Sequence, residues 1–186
     1  MKNNIKHYYK NVNGYFDYEF IIQEAIARSS SNAHFVEVGA YMGKSASYAG
    51  VEIINSGKNI KYDIVDHFMG SLNDPVGNGC KNVCLKNIEP VNSVVNLINL
   101  PSVKAAELYA DNSLDYVFLD GDHNYEGIKA DLIAWYPKLK LGALFAGHDH
   151  EVAFPGVIQA VKEFFNEKNI KYQTTGAPYT WKIIKL

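Results

Sequence analysis

Alternation limits the fold of this chain more than any other feature. Short apolar runs occur at residues 33–38 (AHFVEV), 61–66 (KYDIVD), 94–99 (VVNLIN), 115–120 (DYVFLD) and 142–149 (GALFAGHD). Stretches of helical character fall at 17–28, 43–57, from the 70–79 loop to about Glu89, at 125–139 and at 156–169. Strands linked through helices pair in parallel, because the crossover returns the chain to its starting edge before the next strand begins. Two closing runs, KYQTTG at 171–176 and YTWKIIK at 179–185, flank Gly176-Ala177-Pro178 and read as a hairpin of two antiparallel edge strands. The expected architecture is an α/β fold of Rossmann-like type. Its seven-stranded sheet is mainly parallel, with an antiparallel C-terminal edge hairpin and helices on both faces. Asp17 reads as the N-cap of the first helix, and Gly57 ends the second.

A chain of 186 residues suits one domain, spanning 1–186 with residues 1–16 as an N-terminal extension. A formal net charge of -2 and no Lys/Arg run give no pull toward nucleic acid or an anionic membrane. No apolar stretch approaches the ~20 residues that span a bilayer. The N-terminus lacks the apolar centre of a signal peptide, so the expected location is the cytoplasm. Cys80 and Cys84 agree with a reducing compartment and read as small buried side chains.

The stretch FVEVGAYMGKSAS, residues 35–47, has the look of a phosphate-binding loop but fits neither standard pattern. A P-loop needs glycine where Val38 stands, and a dinucleotide fingerprint needs its second glycine where Tyr41 stands. Tyr41 therefore argues against a nicotinamide oxidoreductase.

In open parallel sheets, ligands bind beyond the carboxyl ends of the strands. Those ends carry Glu37 with Gly39, then Asp66-His67, then Asp120-Gly121-Asp122-His123, then His148-Asp149-His150. Acids and imidazoles recur at one edge of four expected strands. Glu37 and Asp66 suit the vicinal diol of a ribose, since a carboxylate accepts two parallel hydrogen bonds. Either residue alone also reads as a helix cap or a solvated loop acid. Gly39 allows close approach of backbone to ligand.

An acid just before Gly-x-x-x-Gly resembles the cofactor loop of class I S-adenosylmethionine-dependent methyltransferases. That cofactor carries no phosphate, so the loop has no need of a complete P-loop. A stronger likeness lies at 115–150, where DGDHNYEG (120–127) is followed by a strand ending in GHD (147–149). This resembles the branch that includes the macrocin-type sugar O-methyltransferases and covers roughly residues 17–186. Leu141-Gly142 departs from the usual Pro-Gly or Gly-Gly pair.

The resemblance implies S-adenosylmethionine as cofactor, held by Glu37, Gly39, Ala40, Tyr41, Gly43, Ser45, Asp66, His67, Ser102 and Asp120. Ser102, which also reads as a helix N-cap after Pro101, matches a position lining the adenine pocket. The resemblance also implies a divalent cation, Mg²⁺ or Mn²⁺, at Asp120, Asp149 and His150, with His123 as general base. Elementary chemistry agrees. Adjacent strand ends lie ~5 Å apart, so Asp120 and Asp149 reach one cation, although imidazole at 150 suits Mn²⁺ and softer ions better than Mg²⁺. A cation lowers a hydroxyl's pKa, and a histidine with pKa ~6.5 takes the proton. His148 reads as a supporting hydrogen-bonder, and Asp122 as a support of the following helix. The tyrosine-rich residues 8 to 18 read as a lid or dimer contact. The 70–79 loop and Phe154-Pro155-Gly156 read as the substrate rim.

The expected activity is metal-assisted O-methylation of a hydroxylated small molecule such as a sugar or glycoside. A metal-free N-methyltransferase and a non-catalytic cofactor- or nucleoside-binding module stay open, as does a homodimer.

Overall fold

The computed structural model describes residues 4–70 and 79–186. In chain order its elements are α1 (Glu19–Arg28), β1 (His34–Val38), α2 (Lys44–Ser56), β2 (Lys61–Val65), α3 (Cys80–Ile88), β3 (Val95–Ile98), α4 (Ser102–Ala106), β4 (Leu114–Leu119), α5 (Tyr125–Trp135), β5 (Leu139–Gly147), α6 (Pro155–Glu167), β6 (Gln173–Thr174) and β7 (Trp181–Ile184).

The strands form one sheet in the order β3-β2-β1-β4-β5-β7-β6. β1 to β5 pair in parallel, while β7 runs antiparallel to β5 and to β6. The expected sheet and its edge hairpin are therefore present. The chain lays down β1, β2 and β3 in one direction, then returns to place β4 on the other side of β1. In open α/β sheets ligands bind beyond the strand ends at such a reversal, which here falls at the carboxyl ends of β1 and β4.

Side-chain alternation divides the core in two. Phe35, Tyr62, Ile64, Tyr116 and Phe118 face one side, where they pack with Ile21, Ile22 and Ala25 of α1 and Ala46, Ala49 and Ile53 of α2. Val36, Val38, Val65, Val117 and Leu119 face the other, against Ile128, Leu132 and Trp135 of α5 and Val161 and Phe165 of α6. Burying Trp135 and Trp181 completely adds to this second half. A large side chain so buried contributes roughly 1.5–3 kcal/mol through the hydrophobic effect.

Local chemistry sets the helix ends. α2 lies between Gly43 (φ 79) and Gly57 (φ 70), both left-handed, as glycine permits. α5 stops at Trp135, short of the expected 139, because Pro137 cannot supply the N–H that would continue it. α4, foreshadowed only by the N-cap reading of Ser102, has Pro101 as its N-cap residue and no side-chain cap, and its five residues are too few to show a period. α1 begins at Glu19 with Tyr18 as its N-cap residue and no side-chain cap, which corrects the expectation for Asp17. Asp17 is drawn instead to His148, with Oδ1 3.1 Å from Nε2.

The N-terminal residues pack onto the domain. Tyr8, Tyr9 and Phe16 lie against the α1/α2 half of the core, and the His7 ring stacks on Tyr48 of α2 at 4.7 Å. No helix among the described residues is long and apolar enough to cross a membrane. Most of the expected 70–79 rim lies outside the described residues.

Candidate active site

The glycine turn after β1 is pressed onto the end of β4. Gly39 has φ +98, and a Cβ built on it would lie 1.9 Å from the Asp120 carbonyl oxygen. Beyond it, Gly43 N–H donates to the Ala40 carbonyl at 2.7 Å and closes the turn. Asp66, at the end of β2, fixes the same turn. Its Oδ2 accepts from the backbone N–H of Ala40 (3.0 Å) and of Tyr41 (2.9 Å), and its Oδ1 from that of Phe68 (2.7 Å). The next residue, His67, is exposed and accepts from Met69 N–H at Nδ1, 3.0 Å away. Lys44 Nζ donates to the Gly14 carbonyl at 2.8 Å, so this lysine ties down the N-terminal segment.

Glu37 corrects the expectation of a paired ribose clamp with Asp66. It shares the parity of Phe35, so it points to the α1/α2 side and is fully buried, 0% exposed. Ser45 Oγ donates to its Oε1 at 2.5 Å, Tyr18 Oη lies 3.1 Å from the same oxygen, and Tyr62 donates to Oε2. A diol finds no access there. Ser45 is likewise turned inward by this bond. Burial pushes the Glu37 carboxyl up to about 7 against the pull of these hydroxyls.

Beyond β4 and β5 the expected acids and imidazoles meet. Ligand atoms of Asp120, His123 and Asp149 all lie within 4.8 Å of one another. His123 Nε2 is 2.9 Å from Asp149 Oδ2, and His148 Nδ1 is 3.1 Å from Asp149 Oδ1 and 3.7 Å from Asp120 Oδ1. His123 is the accessible member, with a side chain 44% exposed and its ring against Phe154 at 4.6 Å. Asp149 takes a left-handed φ of 58, uncommon for a residue other than glycine, which turns its carboxylate back toward β4.

Charge follows from this packing. Burial raises Asp120, Asp149 adds to the rise, and His148 opposes it. Burial would also raise Asp149, but hydrogen bonds from His123 and His148 outweigh it and hold the carboxyl low. The bond to Asp149 raises His123 despite partial burial. His148 is pushed up to about 9, burial being overcome by Asp149, Asp120 and Asp17.

His150 does not join the group. Its Nε2 lies 3.3 Å from Tyr172 Oη and its ring centroid 5.5 Å from that of Tyr172, on the β7 side of the strand end. The left-handed φ of Asp149 breaks the strand alternation, so 148 and 149 both reach the group and 150 does not. Ser102 Oγ accepts from Trp135 Nε1 at 2.9 Å, and Asp131 of α5 is its second hydrogen-bond partner. Its hydroxyl therefore links α4 to α5. Asp122 Oδ1 accepts from Asn124 N–H at 2.9 Å, supporting the start of α5.

Tyr62 and Asp131, which no expectation named, and Tyr18, expected only within a lid or dimer contact, join the hydrogen bonds of the site. Tyr18 Oη lies 2.9 Å from Asp120 Oδ2 while also reaching Glu37, Tyr62 holds Glu37 from beneath, and Asp131 sits 4% exposed behind Ser102. The signal for Tyr18 was its place at the end of the tyrosine-rich stretch, beside Asp17 and ahead of α1.

The sheet order, with its reversal between β1 and β4, is that of a Rossmann-like methyltransferase. The family model described as a methyltransferase domain matches residues 36–150, more than half of the chain. The chain belongs to that family, and its class is that of the S-adenosylmethionine-dependent methyltransferases. No curated protein matches the chain. Among solved structures, the O-methyltransferase NovP is similar with a TM-score of 0.71 and 15% identity, over 90% of this chain and 79% of that one. A precorrin-6y C5,15-methyltransferase from Geobacter metallireducens GS-15 gives 0.67 and 12%, over 95% and 96%. An O-methyltransferase from Bacillus cereus in complex with SAH gives 0.62 and 15%, over 95% and 86%. Identities this low speak to the fold alone.

Proposed function

We propose that this protein transfers the methyl group of S-adenosylmethionine to a hydroxyl of a small molecule such as a sugar or glycoside, with His123 accepting the proton. The observation that carries the reading is the His123–Asp149 pair, 2.9 Å apart beside an accessible imidazole face. Donation of Nε2–H to Asp149 leaves Nδ1 as the nitrogen with a free lone pair, and the carboxylate stabilises the imidazolium formed on proton uptake. The sulfonium methyl is already electrophilic. The protein's task is to hold donor and acceptor in line and to keep the proton acceptor at hand.

The donor is assigned to the crevice bordered by Gly39–Gly43, Asp66 and the end of β4. Asp66 is the ribose acceptor in this reading, while Glu37 shapes the floor from below. A role for His67 and Ser102 at the adenine end of the cofactor is part of the proposal. Two carboxylates and an imidazole within 4.8 Å are a donor set that fits Mg²⁺ or Mn²⁺. Asp120 and Asp149 would hold the ion, which when bound lowers the pKa of the acceptor hydroxyl and fixes its position.

One observation favours a second reading. Both oxygens of Asp149 already have imidazole partners, so the site is electrostatically satisfied with no cation. Metal-free transfer to an amine is compatible with that arrangement. Methyl transfer from labelled S-adenosylmethionine to panels of glycosides and of amines, with EDTA or with added Mg²⁺ or Mn²⁺, separates the two. Transfer to glycosides that EDTA stops supports the first reading. Transfer confined to amines and indifferent to EDTA replaces it.

A further inference from the structure

The segment 14–18 is fastened at three points around the reaction centre. Gly14 O accepts from Lys44, just past the glycine turn, at 2.8 Å. Asp17 Oδ1 lies 3.1 Å from His148 Nε2, and Tyr18 Oη lies 2.9 Å from Asp120 Oδ2. The Tyr18 ring is held in place by stacking on Phe118, with centroids 4.3 Å apart.

These bonds decide where the reactive side chains point. A histidine ring between two acids satisfies both nitrogens in only a few orientations. With Nε2 occupied by Asp17, His148 turns Nδ1 toward Asp149 at 3.1 Å. Asp149 then has its other oxygen left for His123, at 2.9 Å. Asp120 is fixed from two sides, by Tyr18 at Oδ2 and by His148 at 3.7 Å from Oδ1. Without these partners the two carboxylates would repel each other and rotate apart.

We propose that Asp17 and Tyr18 are positioning residues of the methyl-transfer centre, acting through His148 and Asp120 on Asp149 and His123. The inference rests on the proposed role of His123, and its test is separable from that role.

The 186-residue chain carrying Asp17→Asn, Asp17→Glu or Tyr18→Phe is compared with the parent. Asp17 has a side chain 60% exposed, so its variants fold, and Tyr18→Phe keeps the stacked ring. The first readout needs no acceptor: the imidazole ¹⁵N resonances of histidine-labelled protein with S-adenosylhomocysteine bound. Asp17→Asn and Tyr18→Phe shift the His123 signals although neither residue touches His123. Asp17→Glu restores them, and His34, paired with Asp63 at the other end of the strands, stays put. The second readout is turnover on a glycoside or amine from the panel. There kcat falls about tenfold while the KM for S-adenosylmethionine holds within about twofold, the pattern for loss of a supporting hydrogen bond. His123 signals that coincide in the parent and both variants overturn the proposal, whether or not the protein turns over. A parent that methylates nothing, with shifted His123 signals, overturns the proposed function and leaves the positioning network standing.

Discussion

Gly39 and Asp120 are in backbone contact: a Cβ at position 39 would lie 1.9 Å from the Asp120 carbonyl oxygen. The glycine turn after β1 and the end of β4 therefore meet as one junction. Neither moves without the other, and no side chain fits between them.

The first prediction follows from that contact. Gly39→Ala combines the clash with a left-handed φ of +98, and a strained backbone of this kind costs roughly 1–3 kcal/mol before any clash is counted. The variant is expected to melt several degrees lower and to lose stabilisation by S-adenosylhomocysteine in a thermal-shift assay. A variant that melts and binds like the parent would show that the junction is dispensable.

His123 carries the second. His123→Ala is expected to lower methyl transfer about 10²–10⁴-fold, the usual contribution of general acid–base catalysis, while binding of S-adenosylhomocysteine by calorimetry is retained. The pH profile has a definite sign. Accepting a proton requires neutral imidazole, and Asp149 raises its pKa above 6.5. The rate therefore rises with pH through that raised value. Asp149→Asn removes the cause, so the rising limb moves to lower pH while the maximum rate falls.

The cation is tested by removal. In the metal-assisted reading EDTA stops transfer to glycosides and Mn²⁺ or Mg²⁺ restores it. Asp120→Asn then raises the concentration of Mn²⁺ needed for half-maximal rate by more than the about 10–100-fold typical of losing a group that only supports a ligand. Equal rates with and without EDTA exclude this role for Asp120 and Asp149.

Ligand preference gives a prediction that needs no acceptor. S-adenosylhomocysteine at 100 times its Kd is expected to stabilise the fold by about 2.7 kcal/mol, whereas NAD and ATP leave the melting temperature unchanged. A shift with NAD alone contradicts the assignment of the crevice.

Asp131 links burial to pH. Burial raises its carboxyl to about 7 from 3.8 against a hydrogen bond from Ser102. Where the unfolded chain is ionised and the native carboxyl is still protonated, each rise in pH favours unfolding. Its contribution is fully present below the unfolded pKa and is lost as pH climbs through the folded one. Denaturation midpoints of the parent should fall between pH 4 and about 7. Asp131→Asn flattens part of that fall, by an amount on the order of a few kcal/mol at most. Glu37, raised for the same reason, contributes with the same sign.

Much of this was legible in the residue order. Strand runs of period two, separated by helical stretches, are local patterns, and they led to the five parallel strands and the closing hairpin. Gly57 and Pro137 act within one helical turn, so the end of α2 was read at its place and Pro137 explains why α5 stops early. The recurrence of acids and imidazoles at strand ends is also local, and Asp120, His123 and Asp149 do converge.

What each of those side chains touches is a different kind of fact. Glu37 and Asp66 look alike in sequence, yet Glu37 is buried beneath the turn while Asp66 binds its amides. Asp17 read as a cap and is instead the partner of a histidine 131 residues away. His123 and His150 both stand close to Asp120 or Asp149 in sequence, and only the first turns toward them. Backbone preferences and hydrophobic period act over a few residues, so the chain alone determines its elements and the edge at which its polar groups gather. Which face a strand-end residue meets, and whose oxygen it finds there, depends on sheet order, register and the dihedral of one or two residues beyond the strand. Those are settled only when the distant segments pack together.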